Sequence, residues 1–392
     1  MQAEESNVKG SLANTGRWGF AGGCQGRVVR GARKALNWAV IDSPERLADA
    51  LSELAHASWL AMDTEADSLH AYPEKLCLLQ LSHPGGELLV DPLAGLDLGP
   101  LLQLLARHQL ILHGGDYDLR LMYRTWQFVP ASIFDTMSAA RLVGCRHFGL
   151  TDLVHKFLGL TLEKGPQKAN WGQRPLTPRM TAYAEADARY LKPLQEKLTA
   201  ELVQLGRLEW HREVCARIAS EATRPTKVDP DQVWRIRGSH TLDRQALGVL
   251  RSIWHWREQE AIRANRPTFH VLNHETLVEL ASAAARWGAV PHQMPRHLTP
   301  RRRQGLVKAI EEALALPSAS LPERIRTEHK RLPLSVGRKA TQLRERRDRR
   351  ATEWNLDPSF VASRGQLLEL AANGDWTRTS LMRWQAAALD AV

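Results

Sequence analysis

Cysteine is scarce in this 392-residue chain, and its four cysteines, Cys24, Cys77, Cys145 and Cys215, lie far apart. They form no C-x-x-C pair and no His/Cys zinc spacing. That pattern excludes a cysteine-built zinc module and speaks against a disulfide-stapled secreted domain, so a reducing cytoplasm is the expected location. Long apolar runs are missing too: none approaches the roughly 18–20 residues of a membrane helix. A helical membrane protein is therefore excluded. Residues 1–40 lack the apolar segment of a secretory signal. They carry Arg17, Arg27, Arg30, Arg33 and Lys34 against Glu4 and Glu5, and read as a disordered basic tail.

What the chain does have is an uneven charge. Hydrophobic residues make up 43% and charged residues 24%, an ordinary globular balance, and the length suggests two or three domains. The formal charge is +10 overall, but residues 41–200 give −4, residues 201–320 give +5 and residues 321–350 give +7. Carboxylates gather in the first half and phosphate-attracting surface in the second. The basic run at 331–350 also fits a merely solvated helix or linker.

Between 57 and 93 the pattern predicts three short strands, ASWLAMDTEA, KLCLLQLS and GELLVDPL, the last two joined by a Pro-Gly-Gly turn. A helix over 99–107, a buried strand over 110–115, the helix DLRLMYRTW, the short strand IFDT and the helix TMSAARLVG follow. GLTDLVHKFLG at 149–159 predicts a helix N-capped by Thr151 and C-capped by Gly159, and GPQKANWGQRPLT reads as a loop. A long helix is expected from about Pro178 to Leu205. Beyond 206 the strand signals vanish, and 241–262, 273–286 and 301–316 read as amphipathic helices. The layout is an α/β domain with a mixed sheet over 41–205, a linker over 206–236, and all-α structure thereafter. Segments 240–316 and 345–390 read as two diverged copies of one helical module.

Three groups carry chemistry. In Asp63-Thr64-Glu65, at the end of an apolar strand, the carboxylates at i and i+2 share one face. They repel unless something positive lies between them, and a divalent cation is the usual answer. In Tyr183-Ala-Glu-Ala-Asp187 the phenol and the second carboxylate stack one helical turn apart, while Glu185 points away. His113-Gly-Gly-Asp-Tyr-Asp118 is a strand running into a helix, where Asp116 also fits a simple N-cap and Asp118 a first-turn charge. Each group alone also fits an ordinary structural role.

Together and in this order, the three groups resemble the motifs of the DEDD exonuclease superfamily, tyrosine subtype. IFDT at 133–136, GLTDLVHKFLGLTLEKGPQKANWGQRPLT at 149–177 and YAEADARYLKPL at 183–194 look like the ribonuclease D family in particular. The resemblance covers about 57–200. It implies an RNase H-like fold and a 3′→5′ exoribonuclease that uses two divalent cations, Mg²⁺ or Mn²⁺, and no organic cofactor. Carried onto this chain, the metal-binding set is Asp63, Glu65, Asp118 and Asp187, with Tyr183 positioning or deprotonating the attacking water. Asp118 is preferred to Asp116 because the family aspartate lies five residues after the strand-end His113. Asn170-Trp171 stands where the family usually has Asp-Trp, which touches substrate-loop contacts more than catalysis.

HTLDRQALGVLRSIWHWREQEAIRANRPTFHVLNHETLVELA, at 240–281, resembles the helicase-and-ribonuclease-D C-terminal (HRDC) domain. An HRDC domain is therefore expected over 237–317, and a second, diverged copy over 318–392. The implied role is auxiliary nucleic-acid binding. His113, Trp171, Arg301, Arg302 and Arg303 are the candidate RNA contacts, whereas Trp254 and Trp256 read as core or half-core. The implied substrate is RNA, with tRNA precursors trimmed at their 3′ ends. The alternatives are a DNA exonuclease of the same superfamily and an inactive RNA-binding scaffold.

Overall fold

The computed structural model describes residues 40–163, 165–225, 229–325 and 333–391. The basic tail expected over 1–40 lies outside them, Val40 excepted. Five strands form one mixed sheet: β1 (Leu60–Ala66), β2 (Leu76–His83), β3 (Gly86–Val90), β4 (Gln109–Leu112) and β5 (Ser132–Asp135), in the order β3-β2-β1-β4-β5. β1 runs antiparallel to β2 and parallel to β4, so the sheet is a hairpin meander joined to a parallel half.

Alternation along the strands sorts the residues onto two faces. One face presents Leu60, Met62, Leu79, Leu81, Leu88, Val90, Leu110, Leu112 and Ile133. It is covered by α1 (Pro44–Leu54), α2 (Gly99–Leu105), α3 (Asp116–Trp126) and α8 (Leu208–Ala222). The other presents Ala61, Ile111 and Phe134 to α4 (Thr136–Leu142), α5 (Leu150–Leu158) and α7 (Leu191–Gln204). Leu78 and Leu89, on that second face, pack with Met180 and Ala184 of α6 (Pro178–Arg189) and with Trp171.

Several local expectations are corrected. The long helix over 178–205 is two helices, broken at Tyr190, which caps the first and precedes the second. Gly149, not Thr151, starts α5, and Gly159 ends it in the left-handed conformation. Residues 208–222, read as linker, form α8, whose Val214, Cys215 and Ala222 are buried in the cores on the sheet.

The chain then turns all-helical. α9 (Arg244–Ala264), α10 (Thr268–Val271), α11 (His274–Trp287) and α12 (Pro300–Leu314) surround a core of Leu247, Leu250, Ile253, Leu277 and Ile310, with Trp254 and Trp256 half-buried against it. α13 (Leu334–Glu353), α14 (Pro358–Val361) and α15 (Arg364–Asn373) repeat its first three elements, their starts at one constant offset, and α16 (Arg383–Ala388) follows. Arg257 pairs with Glu258 and donates to the Leu272 carbonyl; Arg347 pairs with Asp348 and donates to that of Ala362. Asn265 and Asn355, at φ 47° and 52°, turn the chain at matching places. Much of the basic run over 331–350 therefore builds α13.

Both helical parts touch the α/β part. Tyr72 donates to the Glu258 carboxylate of α9. On the other side Arg207 donates to the carbonyls of Leu142 and Trp354 at 2.6 and 2.9 Å, and Trp210 packs between Trp354 and Trp384.

Candidate active site

Asp63 and Glu65 emerge from the end of β1, on the sheet face covered by α6. Thr177 caps that helix through its hydroxyl, with Pro178 in the first turn, which sets the phase that carries Tyr183 and Asp187 to the same place. One carboxylate oxygen each from Asp63, Glu65 and Asp187 lies within 4.8 Å of the others. Asp118 stands outside this trio but borders the same cleft of about 350 Å³, together with Asp63, Glu65 and Tyr117. Its carboxylate accepts the Thr64 hydroxyl. Asp116 instead faces solvent and pairs with Arg120 at 2.7 Å.

Electrostatics separate this cluster from an ordinary acidic surface. Burial first, then the charges of Asp118, Asp187 and Glu65, push Asp63 well above the usual carboxylate range. Burial, Asp187 and Asp118 push Glu65 up to about 9. Asp118 and Asp187 rise to about 6, mainly by burial, with Thr64 and Tyr183 hydrogen bonds pulling the other way. Among the described residues no lysine or arginine forms an ion pair with any of the four. A hard divalent cation with oxygen ligands fits this donor set, because it supplies the charge the protein withholds.

Tyr183 is held from three sides. Its hydroxyl engages Asp187 and Gln167, and burial beside the Asp187 charge keeps it protonated well above its ordinary range. Its ring lies against Gly165, where an added Cβ would overlap it. Beneath it sits Trp171, 6.2 Å between ring centroids.

Four of the expected RNA contacts are engaged within the protein. Trp171 is wholly buried and supports Tyr183 rather than meeting substrate. His113 is half-buried, and its Nδ1 lies 2.9 Å from the Thr136 hydroxyl oxygen, itself a donor to the Leu112 carbonyl. Arg301 and Arg302 pair with Glu260, at 2.6 and 3.4 Å, while Arg303 is exposed.

Sequence reasoning missed other residues. Asp135 caps α4 and accepts the amides of Gly114 and Gly115, at 2.6 and 3.1 Å, so it fixes the turn that launches α3 and Asp118. An aspartate before a helix signals the cap, but nothing local signals the two glycine amides. Leu69 and Tyr117, 44% and 41% exposed, offer apolar surface at the cleft rim.

Comparison with known proteins agrees with this geometry. A family model for a 3′-5′ exonuclease matches residues 38–203, and one for the HRDC domain matches 246–286. The ribonuclease D of Gluconacetobacter diazotrophicus is 33% identical over 295 residues, which are 72% of this chain and 74% of that one. That of Granulibacter bethesdensis is 30% identical over 354 residues, 88% and 89% of the two chains. A protein from Bifidobacterium adolescentis has a solved structure similar at TM-score 0.74 and 26% identity, covering 89% of this chain and 94% of that one. The fold is also that of Escherichia coli RNase D, an exoribonuclease involved in structured RNA processing, at TM-score 0.67 and 24% identity over 89% and 93%.

Proposed function

The chain belongs to the ribonuclease D family and is a 3′→5′ exoribonuclease, and we propose that Asp63, Glu65, Asp118, Asp187 and Tyr183 carry its chemistry with two divalent cations. The observation behind this is the half-buried cluster of carboxylates, which pairs with no lysine or arginine among the described residues. Mg²⁺ or Mn²⁺ held there would polarise the scissile phosphate and make water a better nucleophile. Asp63, Glu65 and Asp187 would hold one ion, and Asp118, braced by Thr64, would help to hold the second. Tyr183, kept as a neutral phenol, orients the attacking water, and Gln167 and Gly165 hold its ring in place. Leu69 and Tyr117 give the terminal bases apolar contact.

RNA is the substrate, and we take tRNA precursors with 3′ extensions to be its natural form. The helical parts hold the RNA body, the first as an HRDC domain over about 237–317 and the second as a diverged copy over 318–392. Action in the cytoplasm belongs to the same proposal. Cys77, Cys145 and Cys215 are buried free thiols, as a reducing compartment keeps them. No helix among the described residues is long and apolar enough to cross a membrane.

A 3′-extended tRNA and a matched single-stranded DNA, each 5′-labelled and incubated with Mg²⁺, Mn²⁺ or EDTA, test the reading. Stepwise, metal-dependent shortening of the RNA in preference to the DNA is expected. Preferred digestion of DNA would contradict the substrate assignment. RNA binding without any shortening would indicate a scaffold.

A further inference from the structure

Gln80 is the odd residue of its strand. β2 reads Leu76-Cys77-Leu78-Leu79-Gln80-Leu81-Ser82-His83, and all eight are buried. The Gln80 side chain is 0% exposed, and neither its Oε1 nor its Nε2 has a hydrogen-bond partner among the described residues. An apolar side chain of the same length would avoid that desolvation, so the amide is a liability to folding unless it serves something else.

The register says what lies beside it. Gln80 stands directly opposite Asp63 across the β1–β2 ladder, with Leu89 on its other flank. Directly opposed residues project from the same face with Cβ atoms about 4.5–5.5 Å apart. That face is the one α6 covers with Met180 and Ala184. Asp63 is crowded by Glu65 and Asp187, one carboxylate oxygen of each lying within 4.8 Å of the others. A buried amide without a partner therefore stands opposite a half-buried carboxylate.

We infer that Gln80 is a positioning residue for Asp63, its amide N–H donating through one water to the Asp63 oxygen that a bound cation would leave free. The inference rests on the cation-site reading above. A carboxylate bound to a hard cation has one lone pair turned toward the ion and others free, and a neutral donor fixes its rotamer without competing for the metal. Lysine or arginine in the same place would neutralise Asp63 and compete with the cation; glutamine supplies direction without charge. The polar atoms of Gln80 thus complete a set in which Thr64 steadies Asp118 and Gln167 steadies Tyr183.

The test compares full-length protein with Gln80→Met, which keeps length and removes the amide, and Gln80→Glu, which adds a competing charge. Two readouts are followed: the rise in melting temperature on titrating Mn²⁺, and kcat and KM on 5′-labelled RNA. For Gln80→Met the metal-free melting temperature should hold or rise. The Mn²⁺ midpoint should shift upward and kcat fall, each on the order of 10-fold to 100-fold, with KM for RNA unchanged. Gln80→Glu should not restore the wild-type metal midpoint. Wild-type Mn²⁺ response and kcat in Gln80→Met would overturn the role of Gln80 alone, leaving the cation site standing. A wild-type protein whose melting temperature ignores Mn²⁺ would instead remove the cation site itself, and this inference with it. A Gln80→Met protein that melts well below wild type without metal would make the residue structural.

Discussion

Two acidic sites in this molecule behave in opposite ways. Glu260, on α9, is 3% exposed, yet its pKa falls below the ordinary value because Arg301, Arg263 and Arg302 outweigh the cost of its burial. Asp63 and Glu65, on β1, rise far above theirs, because burial is compounded by further carboxylates. The first site is closed: its charge is spent on holding α9 to α12. The second is open to a cation. Burial alone does not distinguish a working acid from a structural one; the sign of the neighbouring charge does.

Asp63→Asn should have the largest effect. Several kcal/mol of transition-state stabilisation depend on an intact cation site, so the rate should fall on the order of 10³-fold or more, as stepwise RNA shortening reads it. RNA affinity, by filter binding, should stay within a few-fold. Glu260→Gln reverses the pattern. It leaves three arginines facing one another and should cost about 2 kcal/mol of stability, discounted because Arg263 and Arg301 lie half in water. A melting curve reads that loss, while cleavage of a short single-stranded RNA should persist.

A third comparison uses pH. The folded protein binds the Glu65 proton more tightly than the unfolded chain does. Its contribution to stability is complete below the ordinary value of 4.5 and is lost as pH rises through about 9. With EDTA present, the melting temperature should therefore decline across that interval by a few degrees. Saturating Mg²⁺ should flatten the decline, and Glu65→Gln should abolish part of it. The smallest effect belongs to α13. Arg344 and Arg349 are exposed, and replacing both by glutamine should weaken RNA binding a few-fold and lower its salt slope by at most about two. An unchanged slope would leave that helix a structural element only.

Much of the active site was legible because its geometry is local. The strand period places Asp63 beside Glu65, and the helix period places Tyr183 over Asp187, so short spacings carry the pairing. Asp118 was separable from Asp116 only through the family pattern, and its burial against Thr64, 54 positions away, has no local signature. Trp171 reads as an RNA contact only through the family pattern at Asn170-Trp171; the loop folds inward and buries it. α8 passed for a linker because Glu209, Arg212 and Glu213 in its first two turns mask the apolar stripe of Val214, Cys215 and Ile218. The arginines at 301–303 signalled phosphate, and only the fold reveals that Glu260 claims two of them.

The most direct measurement is a calorimetric titration of Mg²⁺ into the full-length protein near pH 7, repeated in buffers of different ionisation enthalpy. A carboxylate pushed up to about 9 holds its proton at that pH, and a cation must displace it. Binding accompanied by net proton release, with both lost in Asp63→Asn, is the expected result. Binding without proton release, or release that survives in Asp63→Asn, would contradict the assignment of the cation to these carboxylates.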